Sequence, residues 1–423
     1  MALLETICKL NVPKVILRYI MINFLDLASI KIILLTVKKM NVFDNYSKLF
    51  LGKCAKGFYW NCYYGHLDMV KWLYFHNDID IHADNEKAFR CSCDNGHLDV
   101  AKWLHSLNNI NIHANNEDAF RCSCYNNHLD VAKWLHSLNN IDIHAMDEYA
   151  FRCACQFGHL GMVQWLHSLD NIDIHADNDY ALVISCKNGH INIVQWLHSL
   201  GNINIHGDND YAFIISCKNG HINIAKWLHS IGNINIHRYG EYAFTGSCEN
   251  GRNDVAQWLH SLGGINIHIN DNYAYKKSYE NGHLNVVKWL REIGGKSLQI
   301  YVRDRDIFMR SCENGYLDIA QWVYSLAYAR SANSINIHAD NEAAFRVSCQ
   351  NGRLDVAQWL YSLGGVNIYI CNDYAFRWSC ENGHLVVAQW LYSIGGIDIH
   401  ADNNKAIFSR SNKEIKKWLQ SIK

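Results

Sequence analysis

The chain holds a single proline, Pro13, in 423 residues. Beyond that position its turns must be built from Gly, Asn and Asp rather than from proline. It also lacks an excess of either charge: 39 Lys and Arg stand against 40 Asp and Glu, and the pI is near 7.1. Such a balance gives no electrostatic case for a nucleic-acid partner, which would want a basic face. Long uncharged apolar runs are missing too. The most apolar stretch, Val15 to Val37, carries Arg18, Asp26 and Lys31, too many charges for a comfortable membrane span, and no cleavable signal is apparent. It reads as a soluble helical segment, and no membrane partner is expected. There is no Gly-rich phosphate loop, no nucleophile elbow and no isolated carboxylate pair, so neither catalysis nor a cofactor is expected.

What is present is repetition. "CDNGHLDVAKWLHSL" begins at Cys93 and returns as "CYNNHLDVAKWLHSL" at Cys124, "CKNGHINIVQWLHSL" at Cys186 and "CKNGHINIAKWLHSI" at Cys217. The marker His stands at His66, His97, His128, His159, His190 and His221, a period of 31 residues, and Arg252 and His283 keep the spacing. The step then lengthens to 33 at Tyr316 and to 37 at Arg353 before returning to 31 at His384. A period in this range predicts one array of stacked units rather than several independent domains. With 49% hydrophobic residues the chain can bury a long core.

Ten of the 16 cysteines occupy one position, four before the marker: Cys62, Cys93, Cys124, Cys155, Cys186, Cys217, Cys248, Cys312, Cys349 and Cys380. Stacked helices lie about 10 Å apart, whereas bridged cysteines need Cα atoms within about 7 Å. Small, buried, reduced thiols are therefore expected, and they imply an intracellular compartment, cytoplasm or nucleus. A zinc site would pair Cys93 with His97 or Cys91 with Cys93. However, Arg252, Tyr316 and Arg353 replace the His while the Cys stays, and four convergent ligands are not supplied. No metal is expected.

Residues 84 to 114 show one unit. Asp84 and Asn85 are expected N-cap residues, with Glu86 in the first turn, where negative charge is favoured. A short helix from about Lys87 to Asn95 then presents Ala88, Phe89, Ser92 and Cys93 on one face. Gly96 ends it in the left-handed conformation, and the one exception at that position, Asn127, is the next most tolerant residue. After His97, the residues Val100, Trp103, Leu104 and Leu107 follow the spacing of one buried helical face. Ile110 and Ile112 then alternate with polar residues as an extended finger. The helix-two Trp recurs twelve times, from Trp72 to Trp418. It is expected to be core rather than a stacking platform.

This pattern resembles the ankyrin repeat. The family's helix-one motif Thr-Pro-Leu-His-x-Ala-Ala-x-x-Gly-His matches as Lys87-Ala88-Phe89-Arg90-Cys91-Ser92-Cys93-Asp94-Asn95-Gly96-His97. Thr-Pro is absent, Arg90 stands for the first His, and the period is two short of the family's 33. The wording "DNDYALVISCKNGHINIVQWLHSLGNINIH" is similar to ankyrin arrays encoded by giant viruses of amoebae. The resemblance covers residues 52–423. It implies an all-α solenoid of about twelve units, the last truncated, that acts as a monomeric, non-enzymatic scaffold for a protein partner, in the host cell if viral.

Recognition by such an array belongs where its units differ on their exposed side. Three residues before the marker the chain gives Asp94, Tyr125, Gln156, Lys187, Lys218, Glu249, Glu280, Glu313, Gln350 and Glu381, so the sign changes along it. At the start of helix one, Tyr149, Tyr180, Tyr211, Tyr242 and Tyr273 form an unbroken row. Tyr149, Tyr180, Tyr211, Tyr242, Tyr273, Gln156, Lys187 and Lys218 are the candidate partner-binding residues. The competing reading is that each Tyr caps the finger of its own unit.

Three segments break the pattern. "LAYARSANSIN", from Leu326 to Asn336, is an insertion expected to form a loop after helix two. "KEIKKWLQSIK" at the end suits a solvent-facing C-terminal cap. Residues 1–51 do not repeat. Their run Val12-Pro13-Lys14-Val15-Ile16-Leu17, followed by Ile20, resembles an F-box, the module that docks substrate receptors onto cullin-type ubiquitin ligases. Pro13, Ile16, Leu17 and Ile20 would contact ubiquitin-ligase components in that case. The same apolar helices would equally serve as an N-terminal cap of the array.

Overall fold

The computed structural model describes residues 54–400 and 413–422, apart from 77–78, 108, 139, 170–171, 202, 302 and 330–334. Among the described residues every regular element is a helix, 23 in all. The described residues divide into two compact blocks, those up to residue 185 with 192–203, and 186–191 with those from 204 on. The F-box-like segment, with Pro13, Ile16, Leu17 and Ile20, lies outside the described residues.

Within each block the repeat is a pair of helices, for example Ala83–Asp94 and Leu98–Ser106. Their shared core is Ala88, Phe89, Cys93, Val100, Ala101 and Leu104, none of them exposed. Burying such side chains supplies roughly 1.5–3 kcal/mol each. Between the pairs Ile110 and Ile112 are buried as well, yet no strand ladder forms among the described residues. The finger is coil held by its side chains.

Stacking within a block is also hydrogen-bonded. Ser123 sits where the family pattern has Ala, and its hydroxyl donates to the carbonyl of Ala119 in its own helix and to that of Cys93 one repeat back. Ser247 does the same with Ala243 and Cys217. The ten thiols of the cysteine row are buried and free. Burial pushes Cys186, Cys312 and Cys380 up to about 12 and the Cys217 thiol higher still.

Gly96 has φ +76° and Asn127 has φ 62°, as the turn requires. Space matters at this position as much as backbone conformation. A Cβ on Gly96 would come within 2.4 Å of the His128 ring of the next repeat, and one on Gly220 within 2.7 Å of the Arg252 chain.

Three expectations need correction. Asp84 and Asn85 are not N-caps. Asp84, Asn85 and Glu86 form a left-handed turn at φ 54°, 55° and 60°, and the right-handed helix begins at Lys87. The Trp and Leu107 positions are not fully buried: Trp103 and Leu107 are half-buried, and Leu262 and Leu363, equivalent to Leu107, are exposed. Trp134 instead spans two repeats, with Phe89 at 6.2 Å and the edge of His105 at 5.7 Å. The insertion does not begin as a loop, because Leu326–Ala329 prolong the helix Leu317–Ala329 and Ala327 is buried. Apart from these, among the described residues the 33-residue step shows no left-handed run like that of Asp84, Asn85 and Glu86. The helix Leu284–Tyr301 runs on across a break at Gly295, and Arg303 leads into the next helix with extended backbone.

Candidate interaction surface

Three successive left-handed residues without glycine are costly, about 1–2 kcal/mol each for ordinary side chains and less for Asn and Asp. Two groups offset that cost. The first is Arg90, whose Nε donates to the carbonyl of Asn85 at 2.7 Å and whose Nη2 donates to that of Asp84 at 3.0 Å. Arg121 holds Asn116 and Asn115 in the same way, Arg346 holds Asn341 and Asp340, and Arg377 holds Asn372 and Cys371. The second is the buried acid that closes the turn. Oε1 of Glu86 lies 2.9 Å from Nδ1 of His82 and accepts the N–H of Asn111 in the next finger at 3.2 Å. Glu117 and Glu148 repeat that arrangement. The substitution of Arg for the family's first His is therefore part of a different way of starting helix one.

The same guanidinium reaches the following repeat. Arg90 Nη1 pairs with Asp118 at 2.5 Å. Where the next repeat has Tyr instead, the cation lies over the ring: Arg121 over Tyr149 at 5.0 Å, Arg152 over Tyr180 at 5.4 Å and Arg346 over Tyr374 at 4.8 Å. These distances suit a cation–π contact. Lys218 takes this role for Tyr242, with Nζ 4.6 Å from the ring centroid and 3.0 Å from the hydroxyl oxygen. Gly246 leaves room for it, since a Cβ there would meet Lys218 Cγ at 2.5 Å. Tyr273 reaches back to Glu249, and burial, followed by that carboxylate, raises its hydroxyl pKa.

Of the candidate residues, Tyr149, Tyr180, Tyr242, Tyr273 and Lys218 thus belong to a layer between repeats. Tyr149, Tyr180, Tyr242 and Tyr273 reach the preceding repeat, and Tyr149 and Tyr273 also meet Cys153 and Lys277 of their own helices. Tyr149, Tyr180 and Tyr273 are half-buried, while Tyr211 and Tyr242 stay exposed. Gln156 is half-buried at the end of its helix. The Lys187 side chain is exposed, and its carbonyl pairs with Nε2 of His221 at 2.9 Å.

Sequence reading missed the arginine clamp, although Arg90, Arg121, Arg152, Arg346 and Arg377 share one register and could have revealed it. It also missed the exposed rings of Trp60, Tyr64 and Phe157. His97 is committed through Nε2 to the carbonyl of Tyr63 at 2.9 Å. Among the described residues no three of His, Cys, Asp or Glu are grouped to hold a metal ion, and no helix is long and apolar enough to cross a membrane.

A family model described as ankyrin repeats (3 copies) matches residues 58–147, 151–238 and 182–271. The fold is an ankyrin-repeat solenoid. Comparison with solved structures finds, among others, the crystal structure of the human ASB11 ankyrin repeat domain, at 18% identity and a TM-score of 0.40. That match covers 49% of this chain and 97% of the other. Comparison with curated proteins gave no match. Ankyrin-repeat arrays are scaffolds for protein–protein interaction, and this ankyrin chain carries its own variant of the unit, trimmed at the finger and clamped by arginine.

Proposed function

We propose that the chain is a non-enzymatic, monomeric scaffold that binds a protein partner inside a cell. One observation carries this reading. Contacts between repeats reuse the same chemistry, whereas one position at the end of helix one changes from Lys187 and Lys218 to Glu249, Glu280, Glu313 and Glu381 along the chain. A surface that varies over a repeating frame is where an array discriminates partners. Tyr211 and Tyr242 beside the two lysines offer large exposed area to an acidic partner. The buried free thiols support a reducing compartment, and a viral origin with a host protein as partner belongs to the same proposal.

Quantitative capture from cell lysate tests it, comparing the full chain with Lys187→Glu combined with Lys218→Glu. The double variant should stay folded, melting slightly below the parent because Lys218 gives up its contact with Tyr242, and should lose a discrete set of captured proteins. An unchanged set would remove the lysine surface from consideration. The ubiquitin-ligase adaptor remains a proposal from sequence alone, since residues 1–51 lie outside the described residues. Its test is loss of ligase components from the same capture on Pro13→Ala with Leu17→Ala.

A further inference from the structure

The first block carries a second surface that the lysine and tyrosine rows do not include. Helix one of successive repeats ends at Tyr63, Asp94, Tyr125 and Gln156. At or next to those ends, Trp60, Tyr63, Tyr64, Tyr125 and Phe157 are exposed, Trp60 and Tyr64 by more than half. The rings gather in two clusters. Trp60 stacks on Tyr64 at 5.6 Å with Tyr63 edge-on, and Tyr125 lies 4.4 Å from Phe157.

Between the clusters the edge is continuous. His97 pairs with the Tyr63 carbonyl, and Asn126 donates to both the carbonyl and the carboxylate of Asp94. The same positions in the second block are Lys or Glu or Gln followed by Asn, from Lys187-Asn188 to Glu381-Asn382. The aromatic character is therefore confined to the first block.

The fixed charge at the edge positions themselves has one sign. Helix C-termini carry partial negative charge, aromatic faces are negative, and Asp94 adds a carboxylate. No Lys or Arg occupies the two positions that form the edge, 63–64, 94–95, 125–126 and 156–157. Flat rings and negative charge together fit guanidinium groups, which stack and pair at once. We propose that this edge docks an arginine-rich segment of the partner protein. The proposal rests on the scaffold reading but uses different residues.

The test is fluorescence anisotropy of the full chain with a labelled oligo-arginine peptide, set against oligo-lysine and oligo-glutamate peptides. The variant is Tyr64→Asn with Phe157→Asn, which installs the residue found at that position in most other repeats and should leave the melting temperature unchanged. Binding should favour oligo-arginine and weaken about tenfold or more in the variant, as the loss of two ring–cation contacts implies. Equal affinity for parent and variant would overturn the proposal, since charge elsewhere, such as Glu249 and Glu280, would then be the site. So would absence of peptide binding together with a lower melting temperature of the variant, because the rings would then be covered by residues 1–53 or by a second copy. Either failure leaves the Lys187 and Lys218 test of the scaffold untouched.

Discussion

Arg346 donates from Nε to the carbonyl of Asn341 at 2.7 Å, and its guanidinium lies 4.8 Å from the Tyr374 ring of the next repeat. One side chain thus closes a left-handed turn and seats the following helix pair. Arg346→Lys keeps the charge but cannot hold two carbonyls in a planar fork. Charge-assisted hydrogen bonds contribute about 1.5–3 kcal/mol, so Arg346→Lys should cost about 1–2 kcal/mol and Arg346→Ala more. Urea melts of the two variants check this. Indistinguishable midpoints would mean that the fork does not matter.

The marker turn gives a prediction with opposite signs at two sites. Gly96 stands at φ +76° under the His128 ring, and Asn127 occupies the equivalent position at φ 62°. Gly96→Ala adds a Cβ against that ring and a strained backbone, and should destabilise by more than about 1 kcal/mol. Asn127→Gly removes the strain of a left-handed non-glycine residue and should stabilise by a few tenths to about 1 kcal/mol. Thermal melts of both single variants decide it, and a loss of stability for Asn127→Gly would show that the Asn side chain contributes more than its backbone costs.

How much of this was legible depended on whether a residue's task is local. Gly96, the helix pair and the row beginning at Cys62 could be read because period, turn chemistry and small volume are written at one position. The left-handed run Asp84-Asn85-Glu86 could not, because it opposes the local preference for an N-cap and is sustained by Arg90 and by Asn111 of the next finger. Tyr149 and Tyr180 looked like free anchors for the same reason: the arginines that occupy their faces stand 28 residues earlier. Leu326–Ala329 was taken from helix into loop because an insertion breaks the period without showing which element absorbs it.

The irregular step has its own lock. Arg291 is only 7% exposed and makes a two-pronged contact with Asp304 at 2.7 and 3.1 Å, with a further bond to the Tyr275 hydroxyl and its face on Trp322 at 5.6 Å. This network stands where the other repeats have the left-handed turn. Asp304→Ala leaves a buried guanidinium without its anion and should cost about 3–5 kcal/mol. Replacing both partners, Arg291→Met with Asp304→Ala, should recover part of the loss. A double variant as unstable as the sum of the singles would show that the two residues act independently.

Thiol burial sets a pH limit on the fold. Burial raises Cys186, Cys312 and Cys380 from an ordinary value of 9.0 to about 12, and pushes Cys217 and Cys248 further up. Tyr279 is raised to about 12, by burial first and by Glu280 next. The unfolded chain releases these protons near the ordinary values, so above pH 9 it binds fewer protons than the folded chain. Stability must then fall as pH rises, by up to about 1.4 kcal/mol per pH unit for each protected group. Below that window the contribution is fully present. Denaturant melts should therefore give similar midpoints at pH 7 and 8 and a steep decline from pH 9 to 11. Alkylation at pH 8 gives an independent reading of the same burial: Cys371, the exposed thiol among the described residues, should react first, and the repeat row should react only on unfolding. A flat stability profile through pH 10, or rapid labelling of Cys217 in the folded protein, would contradict the burial of the helix-one thiols.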